Sequence, residues 1–180
     1  MTIMKRRFFI ILNLLFLMSK IVSDSPKQNA ELEFSFELEN NKIIKVYIYN
    51  SSNSFSKNLK FYEQKNKDSL FYIGSMESIS LAEGQFGEGF QEIYQSDNFL
   101  VIQQSFGDGK YLILSRLYFM YGKKRIRLVK YSEQQIDRFS ENKNFTEIEY
   151  RMSKNIFINN ITSDFVYELH KSLARGKGKI

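Results

Sequence analysis

The stretch that decides the fold is NFLVIQQSFGDGKYLILSRLYFMYGKKRIRLVKYS, which runs from Asn98 to Ser132. It contains three segments rich in apolar and β-branched residues, separated by two short turns that contain glycine. The segments are 98–106, 110–121 and 125–131, and the turns are Gly107-Asp108-Gly109 and Gly122-Lys123-Lys124. Glycine at such positions supplies the positive φ angles that tight hairpin turns need. The stretch therefore predicts three consecutive antiparallel strands.

The middle segment, 110–121, is apolar on both of its faces. Ile113 and Leu117 belong to one face, and Leu114 and Tyr118 belong to the other. Strands with this pattern usually lie in the centre of a sheet and are covered on both sides. We therefore expect this strand to be central and covered.

Alternation of apolar and polar residues predicts further strands outside this stretch. They are 32–38, 43–49, 59–62, 70–73, 146–152 and 156–158, of which the first four pair as two hairpins. Between the second hairpin and the central stretch, residues 76–90 contain three glycines and little periodicity, which predicts a long loop with one helical turn at 76–81.

Two helices are expected in the C-terminal third of the chain. Ser132 to Gln135 fits a capping box, which predicts a short helix ending near Phe139. Ser163 is expected to cap a C-terminal helix with an apolar stripe of Phe165, Val166, Leu169 and Leu173. The expected fold is mainly β: one antiparallel domain over 32–174, sandwich-like or a curved sheet, with a C-terminal helix. A mixed α+β arrangement is the alternative.

The N-terminal segment has the pattern of a secretory signal peptide. Three cations at 5–7 precede an apolar run from Phe8 to Met18, and small residues follow at Ser19 and Ser23. We expect cleavage after Ser23, a flexible lead-in over 24–31, and a periplasmic or secreted protein that meets a membrane only through the uncleaved signal. A buried N-terminal helix and an uncleaved anchor are the alternatives.

The positive charge of the chain is concentrated at its two ends. The whole chain has 26 Lys and Arg against 20 Asp and Glu. Without 1–23 the cations number 22, and residues 24–170 hold 18 cations against the same 20 acids. The tail 175–180 is basic. A nucleic-acid partner therefore has no support from the charge of the central domain.

The residue counts exclude several kinds of chemistry. Without cysteine the chain has no thiolate catalysis, no iron–sulfur cluster and no cysteine-ligated zinc. Its single histidine, His170, offers no triad or histidine-rich metal site, and we expect it to be structural or exposed. Gly84 to Gly89 lacks the Lys-Ser/Thr pair of a phosphate-binding loop. No catalytic, cofactor-binding or metal-binding residue is assigned, and the sequence favours a protein that is not an enzyme.

Charged residues in and near turns are the candidate sites for a partner. They are Glu83, Glu88 and Asp108, with a basic cluster of Lys123, Lys124, Arg125 and Arg127. The basic cluster could also be a solvated edge that discourages strand addition. Glu83, Glu88, Glu92 and Asp108 leave open an exported hydrolase that uses paired carboxylates. We expect Arg125 and Arg127 to share a strand face and Lys130 to point the other way.

Residues 98–132 resemble the β-meander of many uncharacterised exported bacterial proteins, some of which are similar to immunity or accessory proteins of secreted toxins. The resemblance implies a protein partner, such as a toxin, and brings no catalytic residue and no cofactor. The first functional hypothesis is thus an exported, non-enzymatic binding protein, such as a periplasmic immunity protein that blocks a toxin by inserting the 76–90 loop. An accessory subunit of an envelope or surface assembly is a further alternative.

Overall fold

The computed structural model describes residues 26, 29–38, 41–50, 56–66, 69–78, 89–140 and 145–174. Several sequence-based predictions fall outside these residues. They concern the signal peptide 1–23, the basic tail 175–180, half of the lead-in 24–31 and most of the 76–90 loop, including Glu83 and Glu88.

The described chain forms two antiparallel sheets, and in each the strands are ordered as they follow one another in the sequence. The first sheet consists of β1 (Leu32–Leu38), β2 (Lys42–Asn50), β3 (Lys57–Asn66) and β4 (Ser69–Glu77). The second consists of β5 (Gly89–Ser96), β6 (Phe99–Asp108), β7 (Tyr111–Gly122), β8 (Arg125–Asp137) and β9 (Phe145–Phe157). A 3-10 helix (Ile158–Asn160) and α1 (Ser163–Ala174) follow. The predicted mainly-β fold with a C-terminal helix is confirmed.

The inner faces of the two sheets and one side of α1 share a single hydrophobic core. Period-two alternation turns every second side chain of a strand inward. Val46 and Phe61 of the first sheet, and Ile102, Leu117 and Phe119 of the second, are fully buried. Burying one such side chain stabilises the fold by roughly 1.5–3 kcal/mol. Packing of these residues therefore accounts for the stability of a domain that has no disulfide.

The middle strand is central, as predicted, but it is not covered on both faces, so that part of the prediction is wrong. β7 lies between β6 and β8 in the centre of the second sheet. Ile113, Leu117 and Phe119 are buried, whereas Leu114 and Tyr118 on the opposite face are only half-buried. The reason is that the first sheet and α1 both pack on the same face of β7.

The predicted helix from Ser132 to Phe139 is wrong, because β8 continues to Asp137. Glu133 pairs with Ser115 of β7 on one side and with Ile148 of β9 on the other. The backbone groups that a capping box would satisfy are therefore engaged in the two ladders of the sheet. Cross-strand pairing on both sides outweighs the local helix signal.

Two β-bulges explain the strands that the sequence analysis missed or divided. β5 has a register shift between Phe90 and Glu92, which interrupts the alternation that would have marked it. In β9, residues 152–155 lie opposite Val129 alone, because Leu128 pairs with Ile156 and Lys130 pairs with Arg151. This bulge makes one bent strand out of two predicted short ones.

The C-terminal helix is present, but its cap differs from the prediction. The Phe165 backbone N–H donates to Thr162 Oγ1 at 3.1 Å, so Thr162 is the capping residue. The Ser163 hydroxyl instead donates to the Ser78 carbonyl at 3.0 Å and ties α1 to the end of the first sheet. Val166 and Leu169 of the predicted stripe are buried. None of the helices in the described part of the chain is long and apolar enough to cross a membrane.

Candidate functional site

The turn between β7 and β8 is built from two lysines with positive φ angles. Lys123 has a φ of 50° and Lys124 a φ of 60°. The sequence predicts the positive φ at Gly122, but Gly122 is the last residue of β7. A residue other than glycine in this left-handed region costs roughly 1–2 kcal/mol. The protein therefore holds two cations at the tip of a strained turn.

Two arginines follow this turn, and uncharged groups hold both of them. The guanidinium of Arg125 lies over the Phe157 ring at 5.1 Å. Arg127 donates from Nη1 to Asn155 Oδ1 at 3.2 Å, and its Nη2 lies 3.8 Å from Met120 Sδ. Asn155 belongs to the bulge of β9. These contacts orient the guanidinium groups without neutralising their charge.

The next cation of β8, Lys130, is different because it is paired. Val129 is the extra residue at the bulge, so Lys130 lies on the same face as Arg127 and above Tyr118, 3.9 Å from the ring centre. The prediction that Lys130 points the other way is therefore wrong. Its Nζ donates to Glu149 Oε2 at 3.1 Å. By contrast, among the residues that the structure describes, no carboxylate is within ion-pair distance of Lys123, Lys124, Arg125 or Arg127.

Two adjoining recesses, which we call together the basic groove, are bordered by Lys123, Lys124, Arg125 and Arg127. The first lobe has a volume of about 590 Å³ and is lined by Met120, Gly122, Lys123, Arg125, Arg127, Asn155 and Phe157. The second lobe has a volume of about 400 Å³ and is lined by Phe71, Tyr72, Ile73, Lys124, Arg125, Ile126, Phe157, Ile158, Asn159 and Asn160. The pair formed by Arg125 and Phe157 borders both lobes.

One wall of the second lobe is fixed by a close contact between β4 and the 3-10 helix. Asn159 Oδ1 accepts a hydrogen bond from the Ser75 backbone N–H at 2.8 Å. A Cβ at Gly74 would lie 2.3 Å from that oxygen and 2.6 Å from Ile158 Cγ2. Only glycine at position 74 allows this approach, which joins the first sheet to the end of β9.

Asp108 does not belong to the basic groove. It pairs with Tyr111 at one end of β7, whereas the lysine turn is at the other end of this 12-residue strand. At about 3.3 Å per residue the two ends are roughly 35 Å apart. The structure thus brings four of the predicted site residues together and places Asp108 elsewhere, while Glu83 and Glu88 lie outside the described residues.

Asp108 instead joins a polar cluster around the single histidine, which we call the histidine cluster. His170 Nδ1 lies 2.9 Å from Glu133 Oε2, and His170 Nε2 lies 3.2 Å from Asp108 Oδ2. Tyr131 donates from its hydroxyl to Glu133 Oε2, and Gln135 donates from Nε2 to Glu133 Oε1, both at 2.9 Å. Glu133 is 0% exposed and His170 is 4% exposed.

The charges of this cluster support one another across the interface between α1 and the second sheet. Burial opposes the imidazolium form, but the hydrogen bonds and charges of Glu133 and Asp108 outweigh it and raise the pKa of His170. Burial likewise opposes ionisation of Glu133, but the hydrogen bonds from His170, Gln135 and Tyr131 lower its pKa overall. Burial and then Glu133 raise the pKa of Tyr131 well above its usual value. The arrangement is a buried ion pair that fixes α1 to β8.

Comparisons with family models, with curated proteins and with solved structures find no match to this chain. The function must therefore be argued from the geometry of the two sites. In the described part of the chain, no group of histidine, aspartate and glutamate side chains is arranged to hold a metal ion.

The strained lysine turn leads to a prediction about stability and binding. Replacing Lys123 with Asn and Lys124 with Gly should raise the free energy of unfolding by about 1 kcal/mol, because both residues tolerate positive φ. The same double variant should weaken binding of an acidic ligand, because two cations of the groove are lost. Thermal unfolding and binding are measured together.

The matched control for this prediction is Asp97→Gly in the turn between β5 and β6. Asp97 also has a positive φ, of 51°, but it lines neither lobe of the groove. The Asp97→Gly substitution should stabilise the protein and leave binding of the acidic ligand unchanged. A double lysine variant that is less stable than the wild type would show that the turn is not strained.

Proposed function

We propose that this chain is an exported, non-enzymatic binding protein that engages an acidic region of a protein partner with the basic groove. The observation that carries the proposal is the way Arg125 and Arg127 are held. A ring, an amide oxygen and a thioether fix the two guanidinium groups, so their geometry is set while their charge stays available. An arginine oriented in this way is suited to bind carboxylates through two parallel hydrogen bonds.

The partner that we favour is a secreted toxin, which would make this chain a periplasmic immunity protein. Support comes from the signal-like N-terminal segment and from the resemblance of 98–132 to exported proteins of this type. A basic groove on the inhibitor complements an acidic active-site cleft on the toxin, and such complementarity speeds association. The predicted insertion of the 76–90 loop concerns residues that lie mostly outside those described.

The hydrolase that uses paired carboxylates has less support from the geometry. Asp108 and Glu133 are close to each other, but His170 lies between them and bonds to both. Glu133 is buried, and the imidazole, the phenol of Tyr131 and the amide of Gln135 occupy its oxygens. Glu92, another carboxylate of this hypothesis, is also engaged, because it accepts a hydrogen bond from Gln103 Nε2 at 3.0 Å.

The proposal is tested by replacing Lys123, Lys124 and Arg125 together with Gln. With immobilised poly-L-glutamate as the acidic probe, association should be slower in the triple variant and the salt dependence should decrease, because electrostatic steering acts mainly on the association rate. At physiological ionic strength the Debye length is about 8 Å, so salt should weaken the wild-type interaction. The free energy of unfolding should change by no more than about 0.5 kcal/mol, as is usual for exposed residues.

The matched control removes the same number of cations from the C-terminal tail, by replacing Arg175, Lys177 and Lys179 with Gln. This variant should associate with the probe nearly as fast as the wild type. Equal losses in the two variants would mean that only total charge matters. A free energy of unfolding far lower in the groove variant than in the wild type would show that its three residues support the fold.

A further inference from the structure

We infer, on the basis of the proposed function, that the two lobes of the basic groove recognise two different side chains of one extended partner segment. The first lobe takes a carboxylate, and the second takes an aromatic ring. The occupant is thus an acidic segment of a protein partner in which Asp or Glu and Phe or Tyr lie close together in sequence.

The first lobe has the composition of a carboxylate site. Arg125, Arg127 and Lys123 supply three cations, and Asn155 and Met120 hold the guanidinium of Arg127 at the wall. Because Asn155 accepts through its oxygen, its amide nitrogen remains on the same side chain as a further donor. An anion that enters this lobe meets fixed donors, so little conformational entropy is lost when it binds.

The second lobe is bordered by exposed aromatic side chains. Phe71 and Tyr72 are large side chains that are 42% and 49% exposed, and both line this lobe. Half-buried Ile73 adds apolar surface, and the buried Ile126 and Ile158 lie beneath the lobe. Tyr72 already packs edge-on against Tyr62, with ring centres 5.4 Å apart, so its ring is held in place. A second aromatic ring gains both burial and ring–ring contact at such a surface.

The pair formed by Arg125 and Phe157 places the two lobes next to each other. Because this pair borders both lobes, two side chains that are close together on one face of a partner segment can enter both. In an extended chain, alternate side chains on one face are about 7 Å apart. We therefore expect the acidic and the aromatic residue to be two positions apart, as in Glu-Ser-Phe.

The experiment uses three short acetylated peptides on the full chain, with fluorescence anisotropy as the readout. The first contains Glu-Ser-Phe, the second Gln-Ser-Phe and the third Glu-Ser-Ala. Loss of the carboxylate in the second peptide, or of the ring in the third, should each weaken binding to the wild-type protein by about tenfold. This factor corresponds to one charged hydrogen bond or one buried ring. Arg127→Gln should abolish the preference for Glu over Gln while the preference for Phe over Ala remains. Tyr72→Ser, or Phe71→Ser if the Tyr72 variant is poorly folded, should abolish the preference for Phe over Ala while the preference for Glu over Gln remains.

Arg151→Gln is the matched control, because this arginine is 87% exposed and lines neither lobe. It should retain both preferences. If Tyr72→Ser and Phe71→Ser keep the preference for Phe, the second lobe is not an aromatic site, and the inference fails while the proposed function stands. The same follows if no peptide binds although poly-L-glutamate does. If neither poly-L-glutamate nor any peptide responds to Arg127→Gln, both the inference and the proposed function fail.

Discussion

Replacing His170 with Ala is expected to lower the free energy of unfolding by about 3–5 kcal/mol, because the change leaves an uncompensated charge in the core. Glu133 is fully buried and stays near its partners Tyr131 and Gln135, but it loses the cation that balances it. The edge contact between His170 and Phe106, with ring centres 5.2 Å apart, is lost as well. Equilibrium denaturation by urea measures the change.

A double-mutant cycle formed by Glu133→Leu, His170→Leu and the double variant separates the ion pair from simple loss of packing. Glu133→Leu alone should also be strongly destabilising, since it leaves His170 without its buried carboxylate. The double variant with Leu at 133 and at 170 should recover most of the loss, because apolar residues can replace a buried ion pair at little cost. Asp108→Asn is the exposed control and should have a small effect, as its side chain is 64% exposed. Additive losses in the double variant would contradict the account of a coupled pair.

The stability of the protein should fall as the pH rises above neutrality, and this loss should disappear in the His170→Ala variant. The folded protein raises the pKa of His170 above its usual 6.5, so the stabilisation is fully present below that value and is lost as the pH rises through the folded pKa. A tenfold difference in proton affinity between the folded and unfolded states corresponds to about 1.4 kcal/mol of stability. For Glu133 the folded pKa is below the usual 4.5, so its contribution is present above that value and is lost on strong acidification.

The chemistry of the imidazole explains which contact is lost at alkaline pH. The charged ring has two N–H donors for its two carboxylate partners, whereas the neutral ring has one. Because Glu133 is buried and Asp108 is largely exposed, the remaining proton should stay on Nδ1 with Glu133, and the contact with Asp108 should open. Chemical denaturation at a series of pH values checks the predicted loss of stability above neutral pH. A wild-type profile that parallels that of His170→Ala would contradict it.

Much of the fold follows from the sequence because the signals are local. The hairpin formed by 32–38 and 43–49 and the meander from Asn98 onward alternate clearly and have compact turns. The missed strand β5, the divided strand β9 and the wrong face of Lys130 all come from bulges, at which the side-chain period breaks. One extra residue at Val129 moves Lys130 to the other face, and the bulge at 152–155 brings Asn155 to the groove.

The candidate site could be predicted only in part, for the same physical reason. A run of cations is visible in the sequence, so Lys123 to Arg127 were found. The neutral groups that orient them, Phe157, Asn155 and Met120, come from β7 and β9 and have no sequence signal of their own. Glu133 was missed because it lies inside the apparent capping box, and so the partner of His170 could not be named.

The claim that the basic groove binds acidic partners is tested most directly by mapping where an acidic probe binds. The full chain, labelled for nuclear magnetic resonance, is titrated with poly-L-glutamate while backbone amide shifts are recorded. The account predicts that the largest changes occur at Lys123 to Arg127 and at Asn155 and Phe157, which border the basic groove. Changes confined to the tail 175–180, or centred on Lys45 and Lys60 of the first sheet, would contradict it.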